Sequence, residues 1–176
     1  MNAWQKTVLC LVATAIMGLG VAGAASYSEY LAGHKVSFDL TSPADVKKIG
    51  SIGQTMAGVS LRLYGLRIGE VDPQLGPETI VGVIVCENSG MDISGLSMET
   101  AVEGALISAG VLQQNIEITN QLIDGQWGSS GYGYSNTINR YFYVAYYPRD
   151  EQTLCYIASI ENKDAYDQIM SSIHTS

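Results

Sequence analysis

The chain has 176 residues, with 17 Asp and Glu against 9 Lys and Arg and a formal net charge of −8. Such acidity repels phosphate backbones and anionic headgroups, which excludes nucleic acid as a partner and argues against anionic membrane surfaces. Its ordinary role is solubility. The 2 histidines and 3 cysteines also lack the three or four ligands, suitably spaced, that a zinc site needs.

The sequence opens with MNAWQK and then TVLCLVATAIMGLGVAGAAS, uncharged from Thr7 to Ala25, where Ala22-Gly23-Ala24 sets small residues at the alternate positions a signal peptidase requires. Residues 1–24 read either as a signal peptide cut after Ala24 or as an uncut signal anchor, since about 20 apolar residues suffice to cross a bilayer. Cys10 follows Leu9 within the apolar run, which does not suit a lipoprotein. Either way the remainder lies beyond a membrane, secreted or attached through residues 7–25.

Residues 25–34 read as a polar connector and 35–176 as a single domain, long enough to bury about 68 to 70% of its unfolded surface. KVSFDL alternates as a half-buried strand, with Val36, Phe38 and Leu40 on one face. TSPAD then predicts a helix over ADVKKIGSIGQTMAG, with Ser42 as cap and Pro43 at its first position. In VSLRLYGLRIGEV the apolar phase changes from Val59, Leu61 and Leu63 to Leu66 and Ile68, which predicts a β-bulge at Gly65. DPQLGPE is a turn, and ETIVGVIVCE reads as a central strand covered on both faces.

Ser97 caps a helix over about Met98 to Ala109, with Ala101, Ala105, Leu106 and Ala109 inward and Gly110 ending it. NIEITNQLID alternates as a strand. RYFYVAYYP and TLCYIASIE form the last two strands around the turn RDEQ, and NKDAYDQIMSSI closes the chain as a helix facing inward through Ala165, Ile169, Met170 and Ile173. Sequential strands on short turns, with one crossover helix, define an α+β fold: an antiparallel sheet of six or seven strands with two or three helices packed on it.

Two cysteines follow the signal, Cys86 and Cys155. In an exported chain they fit a disulfide, which would close a loop of about 70 residues and stabilise by around 4 kcal/mol on the chain-entropy estimate; they fit equally two small buried hydrophobes in neighbouring strands.

From Gly125 to Pro148 the chain holds eight of its fifteen aromatic residues, which makes this stretch the candidate binding surface. In RYFYVAYYP, Phe142, Val144 and Tyr146 form the less polar side, expected toward the core, leaving Tyr141, Tyr143 and Tyr147 as a ladder on the wet face. Upstream, GQWGSSGYGYSN is rich in glycine and reads as a loose hairpin. Trp127, Tyr132, Tyr134 and Asn136, with Tyr141 and Tyr143, suit stacking on a sugar or gripping an extended peptide.

Catalytic signals are thin. No nucleophile elbow or P-loop is present, and the glycine run from Gly128 to Gly133 lacks the order of a dinucleotide fingerprint, so neither cofactor nor metal is expected. Asp92, Glu99 and Glu103 gather near one helix start, as the paired carboxylates of a glycosidase do, but acids there also interact with the helix dipole. ENSGMD lacks the spacing of a calcium loop.

The order of elements over residues 35 to 173, with late strands RYFYVAYYP and TLCYIASIE and a closing helix ending IMSSI, resembles exported α+β domains of the PsbP-like kind. The resemblance implies an accessory role bound to a larger assembly and carries over no site residue. The expectation is an exported, non-enzymatic envelope domain that binds a protein or glycan partner. Its alternatives are a structural envelope component and a carboxylate-dependent hydrolase.

Overall fold

The computed structural model describes residues 24–56, 59–87 and 95–176. Within them ten strands and two α-helices build two antiparallel sheets. Residues 1–23 of the expected signal or anchor lie outside the described residues, as do Asp92 and most of ENSGMD. No described helix is long and apolar enough to cross a membrane.

The smaller sheet starts with a hairpin of β1 (Ala25–Leu31) and β2 (His34–Leu40). Ala32 and Gly33 join them with φ of 52° and 88°, the positive pair that a two-residue hairpin turn uses. The expected connector is therefore a strand. It is held because residues 25–31 pair throughout with β2 and Tyr27 stacks on Phe38 at 5.5 Å. Val36, Phe38 and Leu40 point inward as their alternation predicts.

The larger sheet holds β3 (Val46–Met56), β4 (Val59–Asp72), β5 (Gly76–Cys86), β6 (Glu117–Ile123), β7 (Gln126–Ser135), β8 (Arg140–Pro148) and β9 (Thr153–Ile160). Their spatial order is β3-β4-β5-β9-β8-β7-β6. Helix α1 (Met98–Ser108) carries the chain from β5 to the far edge, and a meander returns until β9 docks on β5. Ser97 Oγ accepts from Thr100 N–H at 3.2 Å and Gly110, at φ 87°, follows the helix end, as expected. Its buried residues are Val102 and Leu106, with Ala105 at the margin. Helix α2 (Lys163–Ser172), capped by Asn162, leads to a short β10 (His174–Thr175) that adds to β2.

Two local expectations are corrected. The segment predicted as a helix over ADVKKIGSIGQTMAG forms β3, whose pairing with β4 satisfies a backbone that glycines at 50 and 53 leave weakly helical. The bulge expected at Gly65 lies beside it but on the neighbouring strand: Gly65 pairs straight across to Gly82, whereas the β3–β4 register slips between Ile49, opposite Gly65, and Ile52, opposite Leu63, so the extra residue belongs to β3. A second slip, in the β4–β5 register, falls between Ile68 and Val71, where Gly69 has φ of 85°. The change of apolar phase records a strand covered on both sides. Leu66 and Ile68 enter one core and Leu61 the other.

The large sheet thus has two working faces. On one, the small sheet and α2 bury Leu66, Val81, Val83, Ala145, Tyr147 and Ile157. On the other, α1 packs over Val144 and the β6–β7 end. α2 and the small sheet cover the first face of β6 and β7 only in part: Ile123 is buried in that core, while Glu117, Thr119 and Tyr132 stay exposed.

Candidate functional site

The register of β7 on β8 pairs Tyr132 with Tyr143 and Tyr134 with Tyr141, so four phenols share one face. Tyr132 stacks on Tyr143 with centroids 5.8 Å apart, Tyr134 meets Tyr141 edge-on at 5.3 Å, and Tyr166 of α2 tilts against Tyr143 at 5.6 Å. Such arrangements suit the quadrupoles of the rings.

This face is not the uniformly wet ladder expected. Tyr141 is 42% exposed, but Tyr143 is 9% and Tyr147 0%, because α2 and the small sheet cover the strand progressively along its length. Tyr147 sits wholly in the core with its hydroxyl 3.0 Å from Thr175 Oγ1. Phe142 and Tyr146, expected in the core, are only half-buried beneath α1.

Between the open face of β6–β7 and α2 lies a groove of about 440 Å³, whose lining includes Glu117, Gln121, Tyr132, Tyr143, Lys163 and Tyr166. The Tyr132 hydroxyl donates to Glu117 Oε2, which with burial lifts the phenol above its usual range. Burial does the same for Tyr143 and Tyr166. Lys163 bonds Asp167 one helical turn on, and that bond raises its ammonium. Gln121 Nε2 donates to Ser130 Oγ across the strand pair.

Tyr132 and Tyr143 line this groove, and Tyr134 and Tyr141 continue the cluster beyond it. Trp127 and Asn136 do not join them. Trp127, 70% exposed, projects from the opposite face at the other end of β7, paired in register with exposed Leu122 and near Met98. Asn136 lies in the β7–β8 turn and donates its backbone N–H to Gly110 O, just past α1. The glycine-rich stretch is no loose loop: a Cβ at Gly131 would fall 2.6 Å from Val102 Cγ1, so the bare backbone lets α1 lie close on the sheet.

Tyr166, Gln121, Ser130, Lys163 and Asp167 escaped the sequence reading. For Tyr166 a signal existed, since it stands three and seven residues before Ile169 and Ile173 on the inward side of the closing helix. Gln121 and Ser130 carry none, because only the β6–β7 register brings them together.

Cys86 and Cys155 are not joined to each other. They occupy neighbouring strands but opposite faces, Cys86 with Leu154 and Cys155 with Val83 and Ile157. Burial pushes the Cys155 thiol up to about 11, which makes it a hydrophobe and no nucleophile. Of the acids considered near α1, Glu99 lies in its first turn and Glu103 accepts from Gln113 Nε2 at 2.8 Å. Compared with models of protein families, with curated proteins and with solved structures, the chain matches none.

Proposed function

We propose that this chain is an exported, non-enzymatic domain of the cell envelope that binds a protein or glycan partner through the tyrosine groove. The observation that carries it is a half-open stack of phenols beside a rim of carboxylate, amide and ammonium groups, in a cleft of about 440 Å³. Stacking rings with a few converging polar groups are how ligand sites obtain contact area and orientation together. Every resolved pKa shift in the groove moves a phenol or ammonium further from neutrality, so none of these groups is poised to transfer a proton there. The uncharged run from Thr7 to Ala25 supports export, and the PsbP-like outline supports an accessory role.

The test is made on protein recovered from separate membrane and soluble fractions. Its intact mass should begin at Ala25, or remain full-length and confined to membranes; a full-length chain in the cytosol overturns the export reading. The same protein on glycan and peptide arrays should bind, and Tyr132→Ala combined with Tyr141→Ala should abolish the signal with the circular dichroism unchanged. Array binding that survives the double substitution, or none by the natural chain, overturns the groove.

A structural envelope component is the second reading. It is favoured by the half-buried apolar side chains Ile49, Leu61, Leu63, Ile80 and Ile84 on the β3–β5 end of the sheet, on the face that α1 covers elsewhere. Self-association in sedimentation at rising concentration would support it over the first.

A further inference from the structure

We infer that the groove takes a neutral saccharide, and that the ligand's arrival gives the Tyr166 hydroxyl the partner it lacks. This rests on the reading of the groove as a binding site.

Tyr166 is 6% exposed, and its hydroxyl is the one buried side-chain polar atom among the described residues without a hydrogen-bond partner. Buried donors are almost always paired, so an orphan beside a cleft marks a place where something else belongs. Ser130 lies near enough to act on the Tyr166 phenol and lower it slightly against burial, but the pair does not meet in hydrogen-bond geometry, because Ser130 Oγ is drawn to Gln121 Nε2 while keeping a proton and a lone pair to spare. All three residues line the groove. A ligand oxygen that takes Gln121 Nε2 releases Ser130 Oγ to turn toward Tyr166, and one incoming acceptor thereby completes the buried set.

The groove's chemistry selects the class of ligand. Glu117 and Asp167 face a single ammonium, Lys163, which Asp167 already holds, so phosphate, sulfate and uronate meet net repulsion on a chain of charge −8. An apolar ligand would bury the Thr119 hydroxyl and the unused amide capacity of Gln121 without partners. A pyranose answers both demands: its C–H face lies on Tyr132, 36% exposed and stacked on Tyr143, while its hydroxyls reach the amide and carboxylate rim.

The full chain is titrated by calorimetry with cello-, chito-, manno- and galacto-oligosaccharides, with oligogalacturonate as the anionic control and with an extended-peptide library. At least one neutral oligosaccharide should bind, and the uronate should not. Tyr166→Phe should weaken that binding about tenfold, the worth of one hydrogen bond that forms only when the ligand is bound, with a melting temperature equal to or above the parent's because the orphan is gone. Undiminished saccharide binding by Tyr166→Phe, or a lowered melting temperature, overturns the role given to the hydroxyl. Binding only of the uronate overturns the charge argument. Peptide binding that depends on Tyr132, without saccharide binding, overturns the saccharide and leaves the groove standing; no binding of any ligand overturns both.

Discussion

Asp124 holds the end of the chain to its middle. It sits in the β6–β7 turn at φ 51°, its side chain 7% exposed, with one oxygen 2.8 Å from His174 Nδ1 and the other accepting from Thr175 N–H at 2.6 Å. Thr175 in turn reaches Tyr147 inside the core. Asp124→Asn tolerates the left-handed backbone but offers one acceptor where two are used, so it should lower stability by about 1–3 kcal/mol, read as a shifted urea midpoint at unchanged slope. An unchanged midpoint would mean that β2 alone secures the C-terminal strand. Nothing in the sequence announces this clasp, because Asp-Gly between two strands reads as a turn and its partners lie 50 and 51 residues on. Tyr166 was hidden in a similar way: its helical phase was legible, its missing partner was not.

Elements that signal themselves locally were the readable ones. Ser97 and Gly110 bracket α1 through their own backbone chemistry, and β5 declares itself by an unbroken apolar run. β3 misleads because Ser42-Pro43 is a sound helix start, while the strand that follows owes its form to β4, which comes later in the chain. Its lysines at 47 and 48 and its register slip suit an exposed sheet edge. β7 misleads in the opposite sense, since its glycines suggest a loop when their purpose is clearance. Gly131→Ala must push Val102 and the β6 backbone at Glu117 apart, so it should cost about 1–3 kcal/mol as overpacking does, seen as a drop in melting temperature. Gly125→Asn, in open space at φ 74°, is the matched control and should change little. Equal stability of the two would show that α1 does not rest on β7 as closely as described.

Across the whole molecule, burial of phenols and a thiol ties stability to alkaline pH. Cys155 is held up to about 11, Tyr156 up to about 12, and Tyr147 and Tyr166 are raised further in the same direction, all chiefly by burial. In each case the folded state keeps its proton to a higher pH than the unfolded chain does. The stabilisation is therefore whole below the unfolded values of about 8.5 for Cys and about 10 for Tyr, and is lost as pH climbs from there through the folded values. Unfolding midpoints should hold level to about pH 8.5 and fall steeply above about pH 10; a flat profile to pH 11 would mean that these groups are wetter than their packing implies. What the sequence by itself determined is whatever depends on neighbours along the chain: the acidity, the charge-free leading segment, the alternation of β2, the apolar run of β5, the start and stop of α1, and an antiparallel sheet with helices on it. Only the tertiary structure decided which tyrosines stay wet, that Trp127 stands apart from them, that the cysteines face opposite ways, and that β6, β7 and α2 enclose a groove. Each of these turns on register and on which layer covers which face, and those are settled by contacts between segments far apart in the chain, which no local pattern encodes.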